Sequence, residues 1–152
     1  MSKFWKYFVI IAPIILVAVL GSVFVNLGME WFNILSKPTQ WIPNFVIPIV
    51  WTIIYIAFTV ILSLLSNNTK FSIKTIVLLA LNGLFNIVWC LLFFTFNLTF
   101  LGNIAIILNL ILGFWVFINL LEYKEWYVYI LLIYPIWLSI ATSLNLALWI
   151  LN

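Results

Sequence analysis

Apolar residues fill this chain in long runs that lack the strict alternation of a membrane β-strand. Charged residues cut it into uncharged runs of 23 residues (7–29), 32 (38–69), 47 (75–121) and 27 (126–152). One helical crossing of a bilayer takes about 20 apolar residues, so the longest run holds two helices. Their expected break is the polar stretch Thr95-Phe96-Asn97-Leu98-Thr99, just before Gly102-Asn103. Five spans follow, at roughly 7–26, 44–65, 74–95, 99–121 and 126–151. Helices are preferred because hydrocarbon forces each segment to satisfy its own backbone groups. The expected fold is an all-α integral membrane protein, a five-transmembrane-helix bundle forming one domain with no obvious internal repeat.

Composition supports this reading. The chain is 68% apolar and 6% charged, which excludes a water-soluble domain. Lys3 and Lys6 precede the first span, Lys70 and Lys74 lie between the second and third, and Lys124 lies between the fourth and fifth. Those segments share one side, and only Lys37 lies on the other. The bias puts the N-terminus in the cytoplasm and the C-terminus outside, in a bacterial cell membrane. The positive charge then reflects topology and lipid contact, not nucleic-acid binding. The first apolar stretch is long for a signal peptide and lacks a small-x-small cleavage site, so it is expected to be a permanent span. Cys90 is alone and can form no intrachain disulfide.

The first connection, 27–43, is the long one. It holds Trp31, Phe32, Lys37-Pro38, Trp41 and Pro43, an apolar content unusual for a solvent loop. Two readings are open: a lid folded back on the helix ends, or a short interfacial helix anchored by aromatic rings. Pro13 and Pro135 fall within spans and are expected to kink them, whereas Pro48 lies in the first turns of its span. Ala105, Asn109 and Gly113 form a narrow face in span four, suited to packing within the bundle or at a dimer contact.

Ionised chemistry inside the membrane is excluded. Glu30, Glu122 and Glu125 all fall in connections, whereas ion-coupled pumps place an ionisable residue within a span. With no histidine, one cysteine and no intramembrane carboxylate, no metal site or cofactor requirement is expected; Cys90 or a tyrosine is the only conceivable haem-iron ligand. What remains is aromatic and amide. Asn82, Asn86, Trp89 and Phe93 share one face of span three, and Trp51 and Tyr55 lie one turn apart in span two. Tyr134, Trp137, Ala141 and Asn145 form a stripe in span five. At about 1.5 Å per residue, Trp51, Trp89 and Asn145 lie about 10 Å below the outer helix ends, and Tyr55, Asn86 and Ala141 about 15 Å. Trp137 is deeper. The stripes are expected to meet in a hollow in the outer half, beneath the first connection, in the usual form of a small-molecule site. Two plainer readings stand beside this one. Trp5, Trp31, Trp41, Trp126 and Trp149 serve as interface anchors, and Asn82 and Asn86 as interhelical glue. Trp115 is expected to face lipid or another subunit.

At these residues the sequence resembles the TspO/MBR family, the tryptophan-rich sensory proteins that include the mitochondrial translocator protein. Trp31-Phe32-x-x-Leu35-x-Lys37-Pro38 resembles the family's W-[YF]-x-x-L-x-K-P, and Trp51-x-x-x-Tyr55 its V-W-x-x-L-Y. Asn86-x-x-Trp89-Cys90-x-Leu92-Phe93-Phe94 is similar to N-x-x-W-S-x-L-F-F. Ala141-x-x-Leu144-Asn145-x-x-x-Trp149-x-Leu151-Asn152 resembles A-x-x-L-N-x-x-I-W-x-L-N. Departures are Gln40 in the Trp slot of K-P-x-W-x-P-P, Pro135 moved by one in P-Y-x-x-W, and Cys90 in place of a serine. Without the basic tail of animal members, sterol binding is not expected.

The resemblance implies a homodimer of five-helix subunits in contact with membrane lipid. It implies a cavity under the first loop for porphyrins (protoporphyrin IX, haem) and benzodiazepine-site ligands. Implied ligand-binding residues are Pro43, Trp51, Tyr55, Asn86, Trp89, Cys90, Phe93, Tyr134, Trp137, Ala141 and Asn145. Three functions are weighed. The first is a tetrapyrrole receptor or sensor. The second is a light-dependent protoporphyrin-degrading enzyme, in which Trp51 and Trp137 would be the catalytic residues. The third, a transporter of tetrapyrroles or lipidic molecules, ranks last because no inverted repeat supports alternating access.

Overall fold

The computed structural model describes residues 1–39 and 41–152. Five of its helices are long and apolar enough to cross a membrane: Lys3–Leu27, Val46–Asn68, Ile73–Thr95, Thr99–Leu121 and Trp126–Leu151. The protein is an all-α integral membrane protein. We number its helices α1 (Lys3–Leu27), α2 (Met29–Ile34), α3 (Val46–Asn68), α4 (Ile73–Cys90), α5 (Thr99–Leu121) and α6 (Ile133–Leu151). Helix α4 runs on into a π-helical turn, Leu91–Thr95, and a 3-10 stretch, Trp126–Leu132, leads into α6.

The turn between α4 and α5 falls at the expected polar stretch. Asn97 takes the left-handed backbone at φ 56°, which a short amide side chain tolerates better than most residues. Upstream, the Phe96 N–H donates to the Leu91 carbonyl at 3.0 Å and the Leu98 N–H to the Leu92 carbonyl at 2.9 Å. These wider turns bury the successive side chains Phe93 and Phe94.

The prolines divide by position. Pro48 and Pro135 are the third residues of α3 and α6, where a backbone N–H has no acceptor within its helix and its loss costs little. Pro135 lies within the span Trp126–Leu151, and the chain changes from 3-10 to α geometry two residues before it. Pro13 stays inside α1 and removes the N–H that the Val9 carbonyl would otherwise accept.

Helix α5 packs between α4 and α6, α1 lies against α3 and α4, and α3 closes the ring against the 3-10 stretch and α6. Ala105, Asn109 and Gly113 are all buried. A methyl group at Gly113 would come 2.7 Å from Leu138 Cδ1, so this stripe serves packing within the bundle and not a dimer contact.

At the face that carries the N-terminus, short polar links join the helix ends. The Tyr7 hydroxyl donates to Asn67 Oδ1 at 3.0 Å, and Thr75 Oγ1 donates to Asn119 Oδ1 at 2.7 Å. The Ser72 N–H donates to the Tyr123 hydroxyl at 3.1 Å.

At the opposite face the first connection combines both readings of its sequence, a short helix and a fold-back. Gly28 joins α1 to α2 with its backbone against the π turn: a Cβ there would sit 1.9 Å from the Phe94 carbonyl oxygen. Phe32 is driven inward, its ring 5.4 Å from Phe94 and 6.0 Å from Trp41. Lys37 Nζ donates to the Phe32 carbonyl at 2.9 Å and lies 4.7 Å from the centre of the Phe32 ring. One cation thus caps the last turn of α2 and covers its buried aromatic. Trp31 and Trp41 are more than interface anchors. Both are partly buried, with the Trp31 ring 5.5 Å from Phe93. Trp5, Trp115, Trp126 and Trp149 are exposed on the outside of the bundle.

Candidate functional site

The three aromatic and amide stripes turn inward. Trp51 and Tyr55 come from α3, Asn82, Asn86 and Trp89 from α4, and Phe93 from the π turn. Tyr134, Trp137, Ala141 and Asn145 come from α6. All but Trp51 and Tyr55 are fully buried, and those two are partly so. Trp51 is the meeting point. Its ring lies 5.8 Å from Tyr55 at an interplanar angle of 27°, 6.0 Å from Trp89 and 6.3 Å from Tyr134. Above it, Trp89, Cys90, Phe93 and Ala141 pack with Phe32 and Phe94; below it, Tyr134 and Trp137 pack with Ile54 and Phe58. Pro43 does not join them. It is exposed, and its carbonyl accepts from the Val46 N–H at 3.0 Å as the chain enters α3.

The open space is not where the sequence placed it. A cavity of about 460 Å³ lies between α1, α3 and α4, in the half of the bundle nearer the N-terminus. Tyr55, Asn86 and Tyr134 line it; Trp51, Trp89, Trp137, Ala141 and Asn145 do not. Under the first connection the rings of Trp89, Phe93 and Phe94 meet Trp51, Trp31 and Phe32 in tilted and edge-on contacts, and such close contact recovers dispersion energy that a void would forfeit. Helix α1 is different. Gly21 sets it close to Cys90, and Thr95 Oγ1 donates to the Phe24 carbonyl at 2.9 Å. At its other end Tyr7 reaches Asn67. Between these ties the cavity runs alongside Pro13, while Ile10 and Ile14 pack against the core.

The sequence matches the TspO/MBR family over residues 9–150. The chain belongs to the TspO/MBR family. It is accordingly a membrane sensor or transporter of the TspO kind. No curated protein sequence matches it.

The family motifs now have places. W-[YF]-x-x-L-x-K-P builds α2 and its Lys37 cap, N-x-x-W-x-x-L-F-F runs through the end of α4 into the π turn, and the final Asn152 closes α6. The departure at Gln40 lies outside the described residues.

The buried amides have two fates. Asn82 is interhelical glue: its Nδ2 donates to Asn109 Oδ1 at 2.8 Å, and its Oδ1 accepts from the Tyr134 hydroxyl at 2.9 Å. Other donors have nothing to give to. Among the described residues, the buried Trp89 Nε1, Trp137 Nε1 and Asn145 Nδ2 have no acceptor. Each such N–H costs about 1–3 kcal/mol when left unpaired in a dry interior. Among the described residues, no three metal-ligating side chains come together.

Sequence reasoning missed two contributors. The spacing in span four marks Asn109 as part of a narrow face, and its partner on α4 is fixed by helix packing. The wall provided by α1 is not legible in the sequence either, since it depends on how that helix packs against α3 and α4.

Proposed function

We propose that this family member is a receptor for a flat, apolar, acceptor-bearing molecule of the porphyrin class, bound among the rings beneath the first connection. The observation that carries the reading is the set of three unpaired donors, Trp89 Nε1, Trp137 Nε1 and Asn145 Nδ2, buried on the inward faces of α4 and α6. Indole nitrogen is a donor only, and an Asn Nδ2 likewise. Three such groups on the buried, ring-bearing faces of α4 and α6 suit a planar π-system that brings its own oxygens. Trp51, Tyr55 and Trp89 would stack on its face. Entry requires the Trp51–Trp89 contact to part and Phe32 to withdraw, so α2 would act as the lid. The lysine distribution supports an orientation with the N-terminus in the cytoplasm and this site in the outer half.

Titration of the purified protein in detergent with protoporphyrin IX tests the reading through quenching of Trp fluorescence. Trp137→Phe and Asn145→Leu should each weaken binding about tenfold, the equivalent of one buried hydrogen bond. Unchanged affinity in both variants would remove the basis for the site. Loss of the porphyrin absorption band under illumination, abolished in Trp51→Phe/Trp137→Phe, would turn the receptor into a photochemical enzyme. Binding without loss of pigment would leave it a receptor.

A further inference from the structure

We propose that the cavity beside α1 is a second binding site, for a neutral lipophile carrying one hydroxyl or carbonyl group that enters sideways from the bilayer between α1 and α4. It does not depend on the porphyrin reading.

The route is set by the rim. Val9 and Leu16 of α1 and Ile76 and Leu84 of α4 line the cavity while more than half exposed on the bundle's outer surface. These residues belong to membrane-spanning helices, so the mouth faces acyl chains and not water. Between the α4 rim residues, Ala80 and Gly83 also line the cavity. Their small size leaves the gap that larger side chains would close. Gly83 has little spare room beyond that, since a Cβ there would meet Val17 Cγ2 at 3.0 Å.

The occupant's chemistry is set by the walls. No charged residue lines the cavity. An ionised head group, whether carboxylate or phosphate, would be buried without a counter-ion and is strongly disfavoured. The walls are not wholly apolar, however. Tyr55 and Asn86 stand at the end nearest the aromatic cluster, and the Tyr55 hydroxyl makes no hydrogen bond among the described residues. On α1, Val9 and Pro13 lie one turn apart and both line the cavity. Because Pro13 has no N–H, the Val9 carbonyl lacks its usual α-helical donor on that face. A hydroxyl can donate to that carbonyl, and a carbonyl can accept from the Tyr55 hydroxyl or the Asn86 amide. The volume of about 460 Å³ lies within the range of about 300–1,000 Å³ typical of small-molecule sites.

The test uses the full chain in lipid nanodiscs and a diazirine-bearing hexadecanol, with hexadecane and palmitate analogues as comparators. Crosslinks are mapped by mass spectrometry after photolysis. The alcohol should label α1 around 9–17 and α4 around 76–87, saturably. The hydrocarbon and the ionised acid should label the lipid-facing surface evenly. Ala80→Phe at the mouth, or Ile14→Trp from α1, should reduce alcohol labelling of these peptides to the hydrocarbon level. In Ala80→Phe, quenching of Trp fluorescence by protoporphyrin IX should be unaffected, because Ala80 lies at the mouth between the exposed residues Ile76 and Leu84. Two results would overturn the proposal: even labelling by the alcohol, or alcohol labelling of these peptides that persists in both folded variants. Loss of porphyrin binding in Trp137→Phe with alcohol labelling intact would bear on the first site alone.

Discussion

The side chain of Asn152 pairs with both backbone polar groups of Ser36, accepting from its N–H at 2.9 Å and donating to its carbonyl at 3.0 Å. Its second amide hydrogen goes to the Leu148 carbonyl at 2.8 Å. One residue at the end of α6 thus ties the first connection to the bundle, just after α2 and one residue before the capping Lys37.

Replacing Asn152 by Ala removes these three hydrogen bonds from an exposed site. The cost in global stability should be small, about 1 kcal/mol. The local effect should be larger. Backbone amides of 29–38 should exchange with deuterium faster than in the parent protein, with α4 and α5 unchanged. Equal exchange in the two proteins would mean that Phe32 and Lys37 hold the connection without the tether.

Glycine at 28 and at 21 should respond in opposite ways. Gly28→Ala places a methyl 1.9 Å from the Phe94 carbonyl oxygen, a backbone atom that cannot turn aside. This substitution should displace α2 or prevent folding, seen as a lost or strongly lowered thermal transition in detergent. At Gly21 the nearest atom to a new Cβ is Cys90 Sγ at 3.6 Å, an ordinary contact. Gly21→Ala should melt within a degree or two of the parent, the range expected for a change below about 0.5 kcal/mol.

The Tyr134–Asn82–Asn109 chain predicts a cost of burial. Asn82→Leu strips the Tyr134 hydroxyl of its acceptor and Asn109 Oδ1 of its donor, at full burial. Unfolding measured by steric trapping should show a loss of about 1–3 kcal/mol. Tyr134→Phe leaves only Asn82 Oδ1 short of a partner and should cost less. A larger loss for Tyr134→Phe would place the ring contacts with Phe58 and Trp51, not the hydrogen bond, at the centre of this junction.

Asn86 stands one turn above Asn82 and lines the same cavity, but Asn82 is the one that bonds across the α4–α5 seam. Asn86→Leu should reduce alcohol labelling in the cavity beside α1 while leaving the thermal transition in place. Unchanged labelling with a lowered transition would make Asn86 packing glue like its neighbour.

The sequence by itself determined the spans, because the hydrocarbon thickness and the demand for internal backbone hydrogen bonds leave little choice once charges are counted. It also determined which faces carry rings and amides, since a four-residue repeat places Trp89 above Asn86 whatever surrounds them. Asn97 and Pro48 were legible for the same local reason: backbone preference travels with the residue. Tertiary structure decided the rest. Whether Trp51 borders a hollow or a neighbouring ring depends on how far α3, α4 and α6 approach. The partner of Asn82, the exposure of Pro43 and the gap beside Pro13 likewise depend on residues far apart in the chain. No periodicity along one helix encodes its separation from the next.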